Sequence, residues 1–144
     1  MKHYEVSVTI AAQPERVWEI LLDGPAYAAW DSGVERVEGT IGLGQTIKVF
    51  SKVAPGRAFP VKVAELTTSR RMVWSGGMPL GLFKGVRTFT LTPVGATTQF
   101  TMREEFSGPM LPLIWGSMPD LGPSFQQFAD GLKAKAEATA PVCA

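Results

Sequence analysis

Six runs of alternating side chains lie end to end between Val34 and Gly108, and they constrain the fold more than any other feature of the chain. "VERVEGT", "QTIKVFSKV", "RAFPVKVAEL", "RRMVWSG", "FKGVRTFTLTP" and "TTQFTMREEFSG" are short and rich in Val, Thr, Phe and Trp. Such residues fit a pleated, half-buried surface. Turn residues part the runs: Gly42 and Gly44, Pro55–Gly56, and Pro93 to Ala96. Pro55–Gly56 suits the central positions of a type II turn, because proline fixes φ and glycine accepts φ > 0. Strands joined by turns this short are antiparallel neighbours, since a parallel pair needs a crossover of a dozen or more residues. The expected product is an antiparallel meander.

The two ends of the chain read differently. Tyr4, Val6, Val8 and Ile10 alternate as in a half-buried strand. "AAQPERVWEILLD" then sets Val17, Trp18, Leu21 and Leu22 at helical spacing, with Pro14 at the start and Asp23–Gly24–Pro25 as the stop. "AYAAW" predicts a second short helix. After the strands, Met118, Leu121, Phe125, Phe128 and Leu132 step by threes and fours as one apolar stripe. Ser117 and Asp120 resemble a capping box around Pro119, and Pro123 is expected to kink the helix or delay its regular start. The tail from 140 to 144 is expected to fray. The order of elements is one strand, two short helices, about six strands and a long helix. It describes a single α+β domain over residues 1–144, with a long terminal helix against a curved antiparallel sheet of about seven strands.

Composition narrows the function classes. A net charge of +1, with Arg70–Arg71 as the longest basic run, gives no electrostatic footprint for nucleic acid. No run approaches the roughly 20 apolar residues that span a bilayer. The start alternates where a signal peptide would have an apolar core, and Cys143 is the only cysteine. Those features point to a cytoplasmic protein without integral membrane association. His3 is the only histidine, so a His-based triad or a multi-His metal site is excluded. Gly39, Gly42 and Gly44 do not form a dinucleotide fingerprint. Gly76 to Gly81 has the P-loop gap, but Leu82 stands where lysine is required. Neither a metal nor a cofactor is called for.

Three stretches carry a resemblance. "PERVWEILLDGPAYAAWDSGV" is similar to the opening signature of the polyketide cyclase/dehydrase and lipid transport family, "FTMREEFSG" to its last strand, and "DLGPSFQQFADGLKAKAE" to its closing helix. This is the START-like, birch-pollen-allergen-like superfamily (SRPBCC) with its helix-grip fold, and the resemblance covers about residues 3 to 138. It implies an apolar cavity between the sheet and the terminal helix. The expected partner is therefore an apolar small molecule, and the protein would be a monomer or a homodimer. Members of the superfamily bind lipids, hormones or polyketides, and some catalyse cyclisation or dehydration. Under this resemblance the segment "FSGPMLPLIWGSMPDLGPSF" roofs the cavity, with Met110, Leu111, Leu113, Ile114, Trp115 and Met118 as lid and wall. Flexible Met side chains suit an adaptable wall. Each of these residues can equally be core filling.

The last hairpin contributes the residues that could carry chemistry. Alternation puts Arg87, Phe89 and Leu91 on one face of its first strand, and Phe100, Met102, Glu104 and Phe106 on one face of its second. The turn between them sets Arg87 across from or diagonal to Glu104. A cation and a carboxylate among aromatic residues are expected to pair, because buried charge is costly alone. The pair has two readings: a polar anchor or proton carrier for a ligand, or a closed structural salt bridge. Trp74 could stack on a flat ligand or fill the core. Tyr27 and Trp30 fall on the short second helix, near the expected mouth. Leu113, Trp115, Met118, Leu121 and Phe125 complete the candidate lining with Phe89, Phe100 and Met102. Trp18 is expected to pack the first helix on the sheet. Ser75 to Gly81 is either a second gate or a mobile connection.

Overall fold

A computed structural model describes residues 2–30, 32–52, 58–77, 79–117 and 121–138. The elements run β1 (Lys2–Ile10), α1 (Pro14–Leu22), a 3-10 helix (Gly24–Ala29), β2 (Val34–Glu38), β3 (Thr46–Ser51), β4 (Ala58–Thr67) and β5 (Arg71–Gly77). A 3-10 turn (Pro79–Gly81), β6 (Lys84–Val94), β7 (Thr97–Ser107), α2 (Leu111–Ser117) and α3 (Gly122–Ala138) follow. All seven strands join one antiparallel sheet in the order β1-β7-β6-β5-β4-β3-β2, so the first strand closes the meander beside the last. A bulge between Val63 and Glu65 interrupts the β4–β5 ladder, a device that bends a sheet. The fold is the α+β helix-grip arrangement expected from the sequence.

Period two is visible in the burial. On β1, Val6 and Ile10 are buried, Tyr4 and Val8 half-buried, and the residues between them exposed. Pro14 opens α1, where a missing N–H costs no helical bond, and Val17, Trp18 and Leu21 face the core. The short second helix takes the 3-10 form and ends at Ala29.

Three expectations are refined. The terminal stripe lies on α3 from Phe125 onward, with Leu121 just before it; Pro123 sits in the first turn of α3, where proline is tolerated, so the helix runs regularly from Gly122. Ser75, Gly76 and Gly77 belong to β5 and pair with Val86, Gly85 and Lys84, so the connection is shorter than the glycine run suggests. The last hairpin turns on Gly95 and Ala96 alone, with Pro93 and Val94 still in β6. The Pro55–Gly56 turn, Met118, Pro119, Asp120 and the tail with Cys143 lie outside the described residues. Among the described residues no helix is long and apolar enough to cross a membrane.

Candidate functional site

The register of the sheet sets the site. Reading across the inner face, Tyr4, Glu104, Arg87, Trp74 and Val63 form one row of cross-strand neighbours. The next row inward is Val6, Met102, Phe89, Met72 and Leu66. The row on the other side of the pair holds Phe106, Gly85 and Gly76. Gly76 and Gly85 stand side by side there, and the space a Cβ would take is held by the Pro60 carbonyl at Gly76 and by Glu104 Oε2 at Gly85.

Arg87 and Glu104 stand directly opposite each other. Arg87 Nε donates to Glu104 Oε1 at 2.7 Å, and Nη2 lies 2.6 Å from the same oxygen. Glu104 Oε2 takes no hydrogen bond among the described residues and lies over Gly85, where a Cβ would meet it at 2.9 Å. The side chains are 23% and 16% exposed, so the pair lies at the edge of the interior, neither free in water nor sealed. The guanidinium also sits 4.8 Å from the ring centre of Phe125 on α3. Beside it, Trp74 is buried and its indole Nε1–H has no partner among the described residues. A stranded donor of this kind costs about 1–3 kcal/mol, so it marks a place where an acceptor belongs.

Aromatic rings fill the interior behind the pair. Phe128 is the hub: its ring centre lies 5.2 Å from Trp30, 5.8 Å from Tyr27, 5.9 Å from Phe89 and 6.3 Å from Phe100. Trp74 packs edge-on to Phe89 at 4.8 Å and parallel to Tyr27 at 6.4 Å. Toward the rim, Tyr4 touches Phe125 and Trp115, both at 5.5 Å, and Trp115 touches Phe106 at 5.7 Å. Tyr27 is fully buried and donates its hydroxyl to the carbonyl of Leu21 at 2.5 Å. Burial pushes its phenol up, with nearby Arg87 opposing, so it stays protonated at neutral pH.

The candidate residues thus fall into three groups. Tyr27, Trp30, Trp74, Phe89, Phe100, Met102 and Phe125 converge in the interior with Arg87 at its edge. Trp115 and Leu121 are partly buried at the rim. Leu113 is 70% exposed on the outer side of α2 and does not join them. Trp18 packs into the core as a structural residue. Sequence reasoning missed Gly76 and Gly85, which read as loop and strand punctuation until the register set them together. Among the described residues no group of three or more His, Cys, Asp and Glu side chains converges. Two hollows stand out at the surface and neither is in this interior: one lies among α1, the 3-10 helix and α3, the other on the outer sheet face around Thr88, Thr90 and Thr101.

Comparison with known proteins agrees with this geometry. Residues 1–137 match the protein family described as "Polyketide cyclase / dehydrase and lipid transport". Among solved structures, an aromatase/cyclase (Zhui) from Streptomyces sp. R1128 superposes with a TM-score of 0.73 at 19% identity, covering 98% of this chain and 96% of that one. A START superfamily protein from Mycobacterium smegmatis gives 0.70 at 16% identity, over 96% and 99% of the two chains. The Aha1 dimer from Colwellia psychrerythraea gives 0.74 at 18% identity, over 98% and 100%. At these identities the likeness establishes a shared fold. The comparison with curated proteins yields no match.

Proposed function

The chain belongs to the polyketide cyclase / dehydrase and lipid transport family, and from that premise we propose that it binds an apolar small molecule between the inner sheet face and α3. The unpartnered Trp74 Nε1–H beside Arg87 and Glu104 carries the reading. A donor without a partner in an aromatic interior calls for an oxygen acceptor on the guest. Because Glu104 already neutralises Arg87, that oxygen is better matched by a carbonyl, phenol or hydroxyl than by a carboxylate. The unused Glu104 Oε2 can accept from the same hydroxyl.

Magnitudes say which part does what. Burying about 300 Å2 of apolar ligand surface contributes roughly 7 kcal/mol, against about 1 kcal/mol for one neutral hydrogen bond. Affinity therefore comes from the rings, and the polar row sets orientation. The guest must displace or spread the ring cluster, since those side chains occupy the interior themselves. Likeness to an aromatase/cyclase supports a second reading, in which Glu104 Oε2 moves a proton and Arg87 stabilises a developing enolate. A monomer or a homodimer is compatible with either reading.

Native mass spectrometry of protein purified from its own host tests the first reading. An apolar adduct lost on denaturation is expected; a clean mass, with no uptake of polyketide-like phenols added in vitro, would refute it. Glu104→Gln separates the two readings. It leaves uptake within a few-fold for a binder and abolishes turnover for a cyclase or dehydratase.

A further inference from the structure

We infer that the end of the molecule where β5 turns into β6 and β7 into α2 docks on an anionic lipid surface, with Leu80, Leu82 and Leu113 as the inserting side chains. Six large hydrophobic residues are exposed among the described residues, and four of them, Phe59, Leu80, Leu82 and Leu113, sit at this end. Phe59 lies at the start of β4, Leu80 and Leu82 between β5 and β6, and Leu113 on α2. Antiparallel pairing brings these strand ends together, and the N–H of Met110 ties the two leucine segments by donating to the carbonyl of Leu82 at 2.9 Å. Leu80 is the clearest case: it is 97% exposed, and its backbone is left-handed at φ 61° and ψ 22°. A bulky residue is disfavoured in that conformation, and an exposed side chain adds nothing to the core. Neither backbone preference nor packing therefore accounts for a leucine at this tip. Exposed apolar residues gathered at one end mark a surface that meets something apolar.

Charge selects the occupant. Residues 75–86 and 106–117 contain a single charged side chain, Lys84, and it is exposed. Lys2, also exposed, stands over Trp115 with its Nζ 5.8 Å from the ring centre. The carboxylates of β7 nearest this end, Glu104 and Glu105, are bonded to Arg87 and Arg103, and neither lysine forms an ion pair among the described residues. Apolar tips, a half-buried tryptophan and lysines without a counter-charge are the composition that binds at the level of lipid headgroups. A second copy of the chain packed on this end would bring lysine toward lysine, whereas anionic headgroups attract both. The leucines then enter the boundary of the acyl chains, and the end nearest the Arg87–Glu104 pair faces the bilayer. The docking does not depend on the proposed interior guest; combined with it, a guest dissolved in lipid reaches the interior without crossing water.

Co-sedimentation of the full chain with lipid vesicles tests the surface. Vesicles of phosphatidylcholine mixed with phosphatidylglycerol should carry the protein into the pellet at physiological ionic strength. Pure phosphatidylcholine should hold it at least about tenfold more weakly, since each of the two lysines contributes about fivefold at an anionic surface. Leu80→Asp combined with Leu113→Asp should weaken binding to the mixed vesicles by about tenfold or more, with little change in melting temperature because both side chains are exposed. Lys84→Gln should weaken it about fivefold. No binding to the mixed vesicles overturns the proposal, and so does binding that the leucine substitutions leave unchanged. Equal binding to pure phosphatidylcholine overturns the anionic class. A wild-type dimer in sedimentation velocity that the leucine substitutions dissociate assigns the surface to a second copy and overturns it as well. If the double variant does not fold, Leu80→Ser, at the most exposed position, makes the same comparison. Uptake of an apolar phenol without vesicles should be the same in Leu80→Ser as in the wild type, so failure of the docking and failure of the interior reading are told apart.

Discussion

Gly85 has no side chain, and the carboxylate of Glu104 rests over the space this leaves. A Cβ at residue 85 would stand 2.9 Å from Glu104 Oε2 and 3.5 Å from the ring of Phe106. The nearer contact is with the end of a flexible side chain, so the sheet need not move; the carboxylate does. Removing a strand glycine also lowers the entropy of the unfolded chain, by about 0.4–1 kcal/mol. Gly85→Ala should therefore melt within a few degrees of the wild type while disturbing the pair. The readout is the Arg87 Nε–H resonance, held downfield by a carboxylate oxygen at 2.7 Å. It should move upfield in Gly85→Ala and further in Glu104→Gln. An unmoved resonance in Gly85→Ala would mean that the missing side chain at Gly85 does not position the carboxylate.

At the scale of elements, the two halves of α3 are held in different ways. Its first turns meet the sheet through Phe125 and Phe128, whereas its last turns, besides burying Leu132 and Ala136, are tied to the end of β1 by polar contacts. Lys133 Nζ donates to the carbonyl of Thr9 at 2.8 Å and to Glu137 Oε2 at 2.6 Å, and the backbone N–H of Ala11 donates to that same oxygen at 2.9 Å. The Ala11 N–H foremost, with Lys133 helping, holds the Glu137 carboxyl below its usual range. A carboxylate with a depressed folded pKa adds stability above its unfolded pKa and loses it as pH falls through the folded one. Stability should fall on acidification from about pH 5, where the unfolded carboxyl begins to take up protons, and Glu137→Gln should flatten that slope while changing little once the pH is below the folded pKa. Melting temperature against pH for the two proteins checks it. Most of these elements were legible in the sequence because alternation and helical spacing are local signals. The Arg87–Glu104 register followed from a tight hairpin turn. Leu113 lies exposed on α2, a separate short helix that local periodicity did not mark off from the long one.

At the scale of the molecule, the sheet holds the polar row still, and the question is which part yields to admit a guest. β6 and β7 pair over eleven residues each and carry the site's charged pair. The polar ties at the far end of α3 fix that end against β1. The segment between is held by fewer anchors: Leu111 is buried, Trp115 leans on Tyr4 and Phe106, and the N–H of Met110 donates to the carbonyl of Leu82 at 2.9 Å. Pro112, Leu113 and Gly116 on α2 are exposed. Regions with few buried contacts open locally at low free energy, while paired central strands open near the global cost. The entrance to the interior should then be α2 with the first turn of α3, moving away from Tyr4 and Phe106. Amide hydrogen exchange should show residues 111–117 exchanging much faster than the central amides of β6 and β7. A saturating apolar phenol should slow exchange at 121–128, where Phe125 and Phe128 close over it, and leave 133–138 unchanged. Equal protection along the whole of α3 would instead mean that the helix moves as one body, and the entrance would have to be sought beyond α2.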